Sequence, residues 1–201
     1  MRILILGSGN VATVFAKQLY SKGYTISQVY SPSLLNANEL AFQVNAGAVN
    51  TVEEISTNAD MALIAVSDNA IGELVQVLGF LNMPVFHTAG SVPMDILKPL
   101  ATDYGVIYPL QSLKKQMQQL PEIPVFIDGN TAAAKSIAHK TGTDIGSMVY
   151  VANDDKRKNL HLTAVFSSNF TNYLYVIAKK LAVEYSIPFE ALIPLIELTA
   201  N

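Results

Sequence analysis

The chain alternates between short apolar runs and longer segments in which apolar residues recur at helical spacing. The runs are rich in Val, Ile and Leu without polar alternation, which is typical of strands covered on both faces. We predict strands at residues 3–6, 25–30, 47–49, 61–66, 84–87, 106–108, 125–127 and 148–151. Helical segments between them include 11–21, 69–80 and 132–141. This alternation predicts an α/β fold with a doubly wound parallel sheet.

The pattern changes near residue 150, because the remaining sequence contains no recognisable strand. The acidic pair Asp154 and Asp155 suits a helix N-terminus, so we predict a helix from there to about Tyr185. Ile187-Pro188 interrupts it, and a second helix follows. We therefore predict a sheet domain at residues 1–150 and an all-helical segment at 151–201. We expect this segment to be incomplete, because it ends without a helix stop signal.

Composition narrows the classes of function. Hydrophobic residues make up 50% of the chain and charged residues 14%, which indicates a folded core. A net charge of −3 argues against a nucleic-acid partner. The absence of cysteine and the wide spacing of the three histidines predict neither a disulfide nor a metal site. The apolar runs are too short for a membrane span or a signal peptide, so we expect a cytoplasmic protein with no membrane partner.

The first strand leads directly into a Gly-x-Gly-x-x-Ala motif. Gly7 permits a tight turn, Gly9 lets a pyrophosphate approach the backbone, and Ala12 keeps the next helix close to the strand. The start of that helix favours phosphate groups. We therefore predict a Rossmann dinucleotide-binding domain, whose cofactor is held by this loop and by the end of the fourth strand. The predicted cofactor-binding residues are Gly7, Ser8, Gly9, Asn10, Val11, Ala12, Val66 and Ser67.

Two other interpretations of the glycine motif remain open. One is a structural turn in a sheet that binds no nucleotide. The other is a methyltransferase loop, although such a loop favours Gly near position 11, where Val11 stands.

The end of the second strand bears on the choice of cofactor. NAD sites usually carry Asp or Glu there, and the segment from Val29 to Ser33 has neither. Ser31 and Ser33 are suited to bind a 2′-phosphate, so we predict NADP, with NAD as the alternative. The two serines could equally form a helix N-cap and a turn around Pro32.

The ends of the next two strands are polar and contain small residues. We predict that four residues there bind a small-molecule substrate: His87, Thr88, Tyr108 and Gln111. The alternative is that these segments only form turns, with His87 hydrogen-bonded in the core.

The long predicted helix carries a polar stripe. His161, Val165, Ser168, Asn169 and Asn172 have spacings that place them on one face of a regular α-helix. We predict that His161 acts as a proton donor and that Asn169 orients a carbonyl or imine. Alternatively, the stripe is exposed to solvent or bonds to the first domain. The helices from Leu174 onward are apolar on more than one face, which predicts a homodimer through the C-terminal helices.

Together these motifs resemble a family of Rossmann-like NADP-dependent oxidoreductases. The family is related to pyrroline-5-carboxylate reductase and to the deazaflavin-dependent NADP oxidoreductases. The matching segments are 3–12, 60–71, 87–90, 108–112 and 161–170. The resemblance implies a helical C-terminal domain similar to that of 6-phosphogluconate dehydrogenase, packing as a dimer. It also implies hydride transfer between NADP(H) and a small metabolite such as an imine, a keto acid or a deazaflavin-like acceptor.

The chain departs from its relatives at two positions. Family members usually carry His where this chain has Tyr108, and hydroxyacid dehydrogenases carry Lys where it has Val165. The second departure argues against hydroxyacid oxidation. Because no acid or base stands out, a non-catalytic nucleotide-binding or sensing protein remains the alternative function.

Overall fold

The computed structural model describes residues 1–117 and 120–200, and all the predicted strands form in it. Their bounds are β1 (Arg2–Leu6), β2 (Thr25–Tyr30), β3 (Gly47–Val49), β4 (Met61–Ile64), β5 (Val85–His87), β6 (Tyr104–Pro109), β7 (Pro124–Gly129) and β8 (Met148–Val151). They form one 8-stranded sheet in the order β3-β2-β1-β4-β5-β6-β7-β8. The order of β1 to β6 is that of a Rossmann fold, which confirms the predicted fold class.

The sheet is mostly parallel and contains one antiparallel pair of strands. Strand β7 pairs antiparallel with β6, while β8 pairs parallel with β7. A parallel connection needs a crossover, usually a helix. No helix forms in the described residues between Pro109 and Pro124, so the chain turns back on itself there.

Four α-helices connect the strands of the sheet. They are α1 (Asn10–Ser21), α2 (Leu34–Gln43), α3 (Asp68–Val77) and α4 (Ala132–Ile145). Gly23, with φ +85°, follows the C-terminal end of α1 as the sequence predicted. Helix α3 is shorter than predicted at its C-terminal end, and α4 is longer. Short 3₁₀-helices form at Val52–Glu54 and Met94–Leu97.

The helices cover both faces of the sheet, and each face has its own core. On one face Ile3 and Ile5 of β1 belong to a hydrophobic cluster that includes buried residues of α1, α2 and α4. On the other face Leu4 and Leu6 belong to a cluster that includes α3. Strand β1 is therefore buried on both sides, which explains its apolar sequence.

The chain divides into two compact units, the first ending at Lys158 and the second beginning at Asn159. This division lies inside α5 (Asp154–Ala164). A π-helical segment, Val165–Phe170, follows, and then α6 (Thr171–Glu184). A 3₁₀-helix at Phe189–Leu192 leads into α7 (Ile193–Ala200). No strand occurs in the described part after residue 152.

The π-helical segment lies inside the predicted polar stripe. The predicted stripe assumed regular α-helical spacing from His161 to Asn172. A π-helix bonds residue i to i+5 and therefore has more residues in each turn. The shared face of His161, Asn169 and Asn172 therefore stays a prediction.

Within the described residues, no helix is both long enough and apolar enough to cross a membrane. The same residues contain no group of three or more His, Cys, Asp or Glu side chains that could hold a metal ion.

Candidate functional site

The predicted loops meet along one edge of the sheet. Strands β1, β4, β5 and β6 are parallel neighbours, so their carboxyl ends lie side by side. Leu6 pairs with Ile64, Ile64 with His87, and His87 with Val106. The glycine loop, Ser67 and Tyr108 follow these paired positions within a few residues. Ligands of open α/β sheets bind in the crevice outside such carboxyl ends.

The two motif glycines have different structural reasons for being glycine. Gly7 has φ +129°, and a Cβ atom there would lie 2.3 Å from the carbonyl oxygen of Ala65. It also donates a backbone hydrogen bond to Tyr30 at 2.8 Å. A Cβ atom on Gly9 would meet nothing within 4 Å. Gly7 is therefore required by the fold, whereas the space over Gly9 is open to a ligand.

The start of α1 is suited to receive phosphate groups. Gly9 is its N-cap, no side chain caps the helix, and its first turn contains no acidic residue. The first N–H groups of a helix have no partner within it, and they carry its positive dipole end. Ala12 is buried against the sheet, as the motif predicts. Val11 is half-buried and packs against the same cluster.

The side chain of Asn10 has a structural partner. Its Oδ1 accepts a hydrogen bond from the backbone N–H of Lys115 at 3.0 Å. The Lys115 ammonium in turn pairs with Glu39 of α2 at 3.2 Å. This arrangement fixes the loop after β6 beside the glycine loop. The Oδ1 atom of Asn10 is therefore engaged within the protein.

The end of β2 has no carboxylate and contains a serine pair. The Ser8 hydroxyl donates a hydrogen bond to the hydroxyl of Ser31 at 2.8 Å, which ties the glycine loop to β2. Ser33 is the N-cap of α2 and accepts a hydrogen bond from the N–H of Asn36 at 3.4 Å. The structure thus gives Ser33 the capping role that the sequence left open, and Ser31 is buried.

Val66 and Ser67 lie where β4 ends and α3 begins. Val66 is half-buried, and Ser67 is exposed at the N-cap position of α3 without a side-chain capping hydrogen bond. The next residue, Asp68, accepts a hydrogen bond from the hydroxyl of Ser91. Asp68 thereby joins the ends of β4 and β5, a link that sequence reasoning did not identify.

His87 is fully buried at the end of β5. Its Nδ1 accepts a hydrogen bond from the N–H of Ala89 at 3.1 Å, so the neutral ring carries its proton on Nε2. Burial lowers the pKa of His87 to about 4, and the charge of Arg157 lowers it further in the same direction. His87 is therefore neutral at physiological pH and is available as a hydrogen-bond donor.

Tyr108 lies on β6, two residues beyond the partner of His87. Burial raises the pKa of Tyr108 to about 12, helped by the charge of Asp68, while Arg157 acts in the opposite direction. The same two charged residues act on His87. The charges of Asp68 and Arg157 therefore act on both His87 and Tyr108, so the four residues lie close together in the fold.

The other two predicted substrate residues are held by backbone atoms. Thr88 is buried, and its N–H donates to the carbonyl of Ile64 at 3.1 Å. Gln111 is exposed and bonds within its own loop, to the carbonyl of Glu122 at 3.2 Å and to the N–H of Ser112 at 2.9 Å. The side chain of Gln111 thus stabilises its own loop through hydrogen bonds.

Sequence reasoning missed Arg157, a buried cation near the start of α5. It is 1% exposed, and its Nη2 bonds Asp154 at 2.8 Å and the carbonyl of Val92. Asp154 also accepts from the N–H of Met94 at 3.1 Å. The i, i+3 spacing of Asp154 and Arg157 was a weak signal, because such pairs are common on exposed helix surfaces.

The two predicted catalytic residues belong to the second compact unit. His161 is half-buried on α5, and Asn169 is exposed on the π-helical segment. The loops of the sheet edge belong to the first unit. The role of both residues therefore stays a prediction.

Comparison with known proteins assigns the family. A Bacteroides fragilis protein assigned as an NADP oxidoreductase shares 37% sequence identity, and the match covers 99% of this chain and 78% of that one with a TM-score of 0.91. The chain belongs to the NADP oxidoreductase family. The family model described as NADP oxidoreductase, coenzyme F420-dependent, matches residues 2–82, and a model for a domain of unknown function matches residues 123–201. These matches confirm the NADP oxidoreductase family that the sequence motifs resemble, and they confirm NADP as its cofactor.

More distant structures share the fold. A 1-pyrroline-5-carboxylate reductase from Streptococcus pyogenes has 15% identity and a TM-score of 0.74, covering 99% of this chain and 76% of that one. An imine reductase from Myxococcus stipitatus, solved with NADP⁺, has the same identity and TM-score over 99% of this chain and 72% of that one. No curated protein matches the sequence.

Proposed function

We propose that this NADP oxidoreductase transfers a hydride between NADP(H) and a small metabolite that contains an imine or a carbonyl group, or a deazaflavin-like acceptor. The supporting observation is the glycine loop, which combines open space over Gly9 with an uncapped helix start. When bound, the cofactor supplies the hydride. The solved neighbours named as an imine reductase and a pyrroline-5-carboxylate reductase support this choice of substrate class.

The residues of the loop fit the cofactor. The backbone from Ser8 to Ala12 would hold its phosphates at the start of α1. Ser31 would face the ribose, because it lies at the end of β2 and no carboxylate there repels a 2′-phosphate. Ser33 contributes through the cap that fixes the first turn of α2. Val66 and Ser67, at the end of β4, would line the same crevice.

The polar ends of β5 and β6 would receive the substrate. His87 presents a neutral ring with its proton on Nε2, and Tyr108 keeps its hydroxyl proton because its pKa is about 12. Both are therefore hydrogen-bond donors that do not titrate near neutral pH. We propose that His161 donates the proton for the reaction, with Asn169 orienting the reacting carbonyl or imine.

A second copy of the chain would cover the apolar surface of the second unit. Large hydrophobic side chains there are exposed on several sides: Leu174, Val176, Ile177, Leu181, Val183, Ile187, Leu195 and Leu198. Apolar exposure of this extent marks an interaction surface. We propose a symmetric homodimer, the commonest assembly of soluble proteins.

A non-catalytic nucleotide sensor is the second candidate function. The buried groups at the sheet edge favour it, since His87 and Tyr108 both titrate far from neutral pH.

Turnover of NADPH with a panel of imines, keto acids and oxidised deazaflavin separates the two functions. Reductase activity predicts a steady loss of NADPH absorbance with at least one compound. His161→Ala should then lower kcat with the affinity for NADPH unchanged. Tight NADPH binding without turnover across the panel would favour the sensor.

A further inference from the structure

The buried side chain of Arg157 is used neither by the cofactor loop nor by the proposed hydride transfer. Its Nη2 atom is satisfied by Asp154 and by the carbonyl of Val92. Its Nε and Nη1 atoms are buried and find no hydrogen-bond partner within the described part of the chain. Leaving a buried donor without a partner is destabilising, and more so for a charged group. Such orphaned donors call for an explanation.

His87 presents a third donor of the same kind. Its Nε2 is also buried without a partner among the described residues. The carbonyl of Pro93 lies near enough to influence the ring, but it does not meet Nε2 in hydrogen-bond geometry. The side chains of His87 and Arg157 are each at least nine-tenths buried. Near the carboxyl end of β5, both therefore have donors without partners in the part of the chain that the structure describes.

One segment holds the two side chains together. His87 accepts a hydrogen bond from the N–H of Ala89. Arg157 donates one to the carbonyl of Val92, which lies five residues after His87 in the same segment. The charge of Arg157 is close enough to influence both His87 and Tyr108. The unused donors of Arg157 and His87 thus belong to one neighbourhood beneath residues 87–94.

We propose that Arg157 and His87 form a subsite for a carboxylate group of the small-molecule ligand. All the unused atoms are donors, and two of them belong to a cation, so the matching group must be a hydrogen-bond acceptor and is best an anion. A carboxylate meets that condition, and its charge-assisted hydrogen bonds with a guanidinium are about twice as strong as neutral ones. This subsite deepens the proposed function, since it limits the metabolite to imino, oxo or related acids.

The carboxylates already present do not fill this position. Asp154 bonds Nη2 of Arg157 and the N–H of Met94, and Asp68 accepts from Ser91. Neither reaches Nε or Nη1 of Arg157. Ser91 and Pro93, in the segment that contacts both side chains, are exposed.

The test uses acetate as the probe and acetamide as its neutral isostere, with no cofactor present. NMR signals of the His87 ring, assigned with His87→Asn, are followed as each compound is titrated at constant ionic strength. The expected result is a saturable shift with acetate and none with acetamide. In Arg157→Met the affinity for acetate should fall at least about tenfold. Arg157→Lys should retain part of it.

Two outcomes would overturn the subsite. One is a His87 ring that responds to neither compound or to both alike. The other is an unchanged acetate affinity in a folded Arg157→Met variant. If that variant does not fold, the acetate and acetamide titrations of the unmodified protein decide alone. Neither NADP binding nor turnover enters the measurement, so its failure leaves the proposed oxidoreductase function untouched.

Discussion

The hydroxyl of Ser8 donates a hydrogen bond to that of Ser31 at 2.8 Å, across 23 positions of sequence. The bond joins the glycine loop after β1 to the end of β2. In an NAD site an acidic residue would occupy this end of β2. Here the position holds a buried neutral hydroxyl, and we propose that it favours a cofactor with a 2′-phosphate.

Ser31→Asp should reverse that preference. The new carboxylate would repel a 2′-phosphate, and like charges placed together cost several kcal/mol. We expect the affinity for NADPH to fall by at least about tenfold, while the affinity for NADH stays level or rises. Ser31→Asn, a neutral side chain of similar size, is the matched control. Fluorescence titrations of both cofactors check this, and an Asp variant that still prefers NADPH contradicts it.

Substituting Ala for Gly7 and for Gly9 should have different effects on the free energy of unfolding. Gly7→Ala forces a Cβ atom to within 2.3 Å of the carbonyl oxygen of Ala65 and strains a residue with positive φ. We expect it to lower the free energy of unfolding by about 3 kcal/mol or more. Gly9→Ala meets no atom within 4 Å and should change stability by less than about 1 kcal/mol. Urea unfolding of the two variants measures both, and equal losses would contradict the assignment.

Burial of His87 should make folding sensitive to acid. The folded protein has a pKa of about 4 for this ring, against 6.5 for an unperturbed His. The unfolded chain therefore takes up a proton as the pH falls below 6.5, while the folded protein does not until about 4. Stability contributed by the neutral ring is present above 6.5 and is lost between these values, by roughly 3 kcal/mol at most.

The check is chemical denaturation of the unmodified protein and of His87→Asn between pH 7 and pH 4. Asn cannot titrate and retains an acceptor near the position of Nδ1. The facing charges of Arg157, Asp154 and Asp68 are present in both proteins, so the difference between the two pH profiles isolates the ring. Parallel profiles would show that His87 is not buried in its neutral form.

The proposed homodimer can be tested by substitutions on α6. Leu174 and Leu181 are 62% and 48% exposed and are separated by two helical turns. We expect the double variant Leu174→Glu/Leu181→Glu to sediment as a monomer at micromolar concentration, where the unmodified protein sediments as a dimer. Phe42→Glu, at a side chain of α2 that is 91% exposed, is the control and should remain dimeric. A monomeric unmodified protein would remove the proposed interface.

Local sequence patterns predicted most of the fold but few of the contacts at the site. Strands β2, β3 and β8 have the predicted bounds. The reversed direction of β7 could not be predicted, since it depends on a connection without a helix. Arg157 was missed because its partners Val92 and Asp154 show their importance only once the chain is folded. The π-helical segment likewise has no clear sequence signal.

Binding of NADP(H) by the loop from Gly7 to Ala12 can be measured by a paired calorimetric titration. NADPH is titrated into the unmodified protein and into Gly9→Val, whose side chain would occupy the open space over the loop. Gly9→Val should remain folded, because nothing lies within 4 Å of its Cβ. We predict saturable binding of NADPH by the unmodified protein and none by Gly9→Val. Equal affinity in the two proteins would contradict the account.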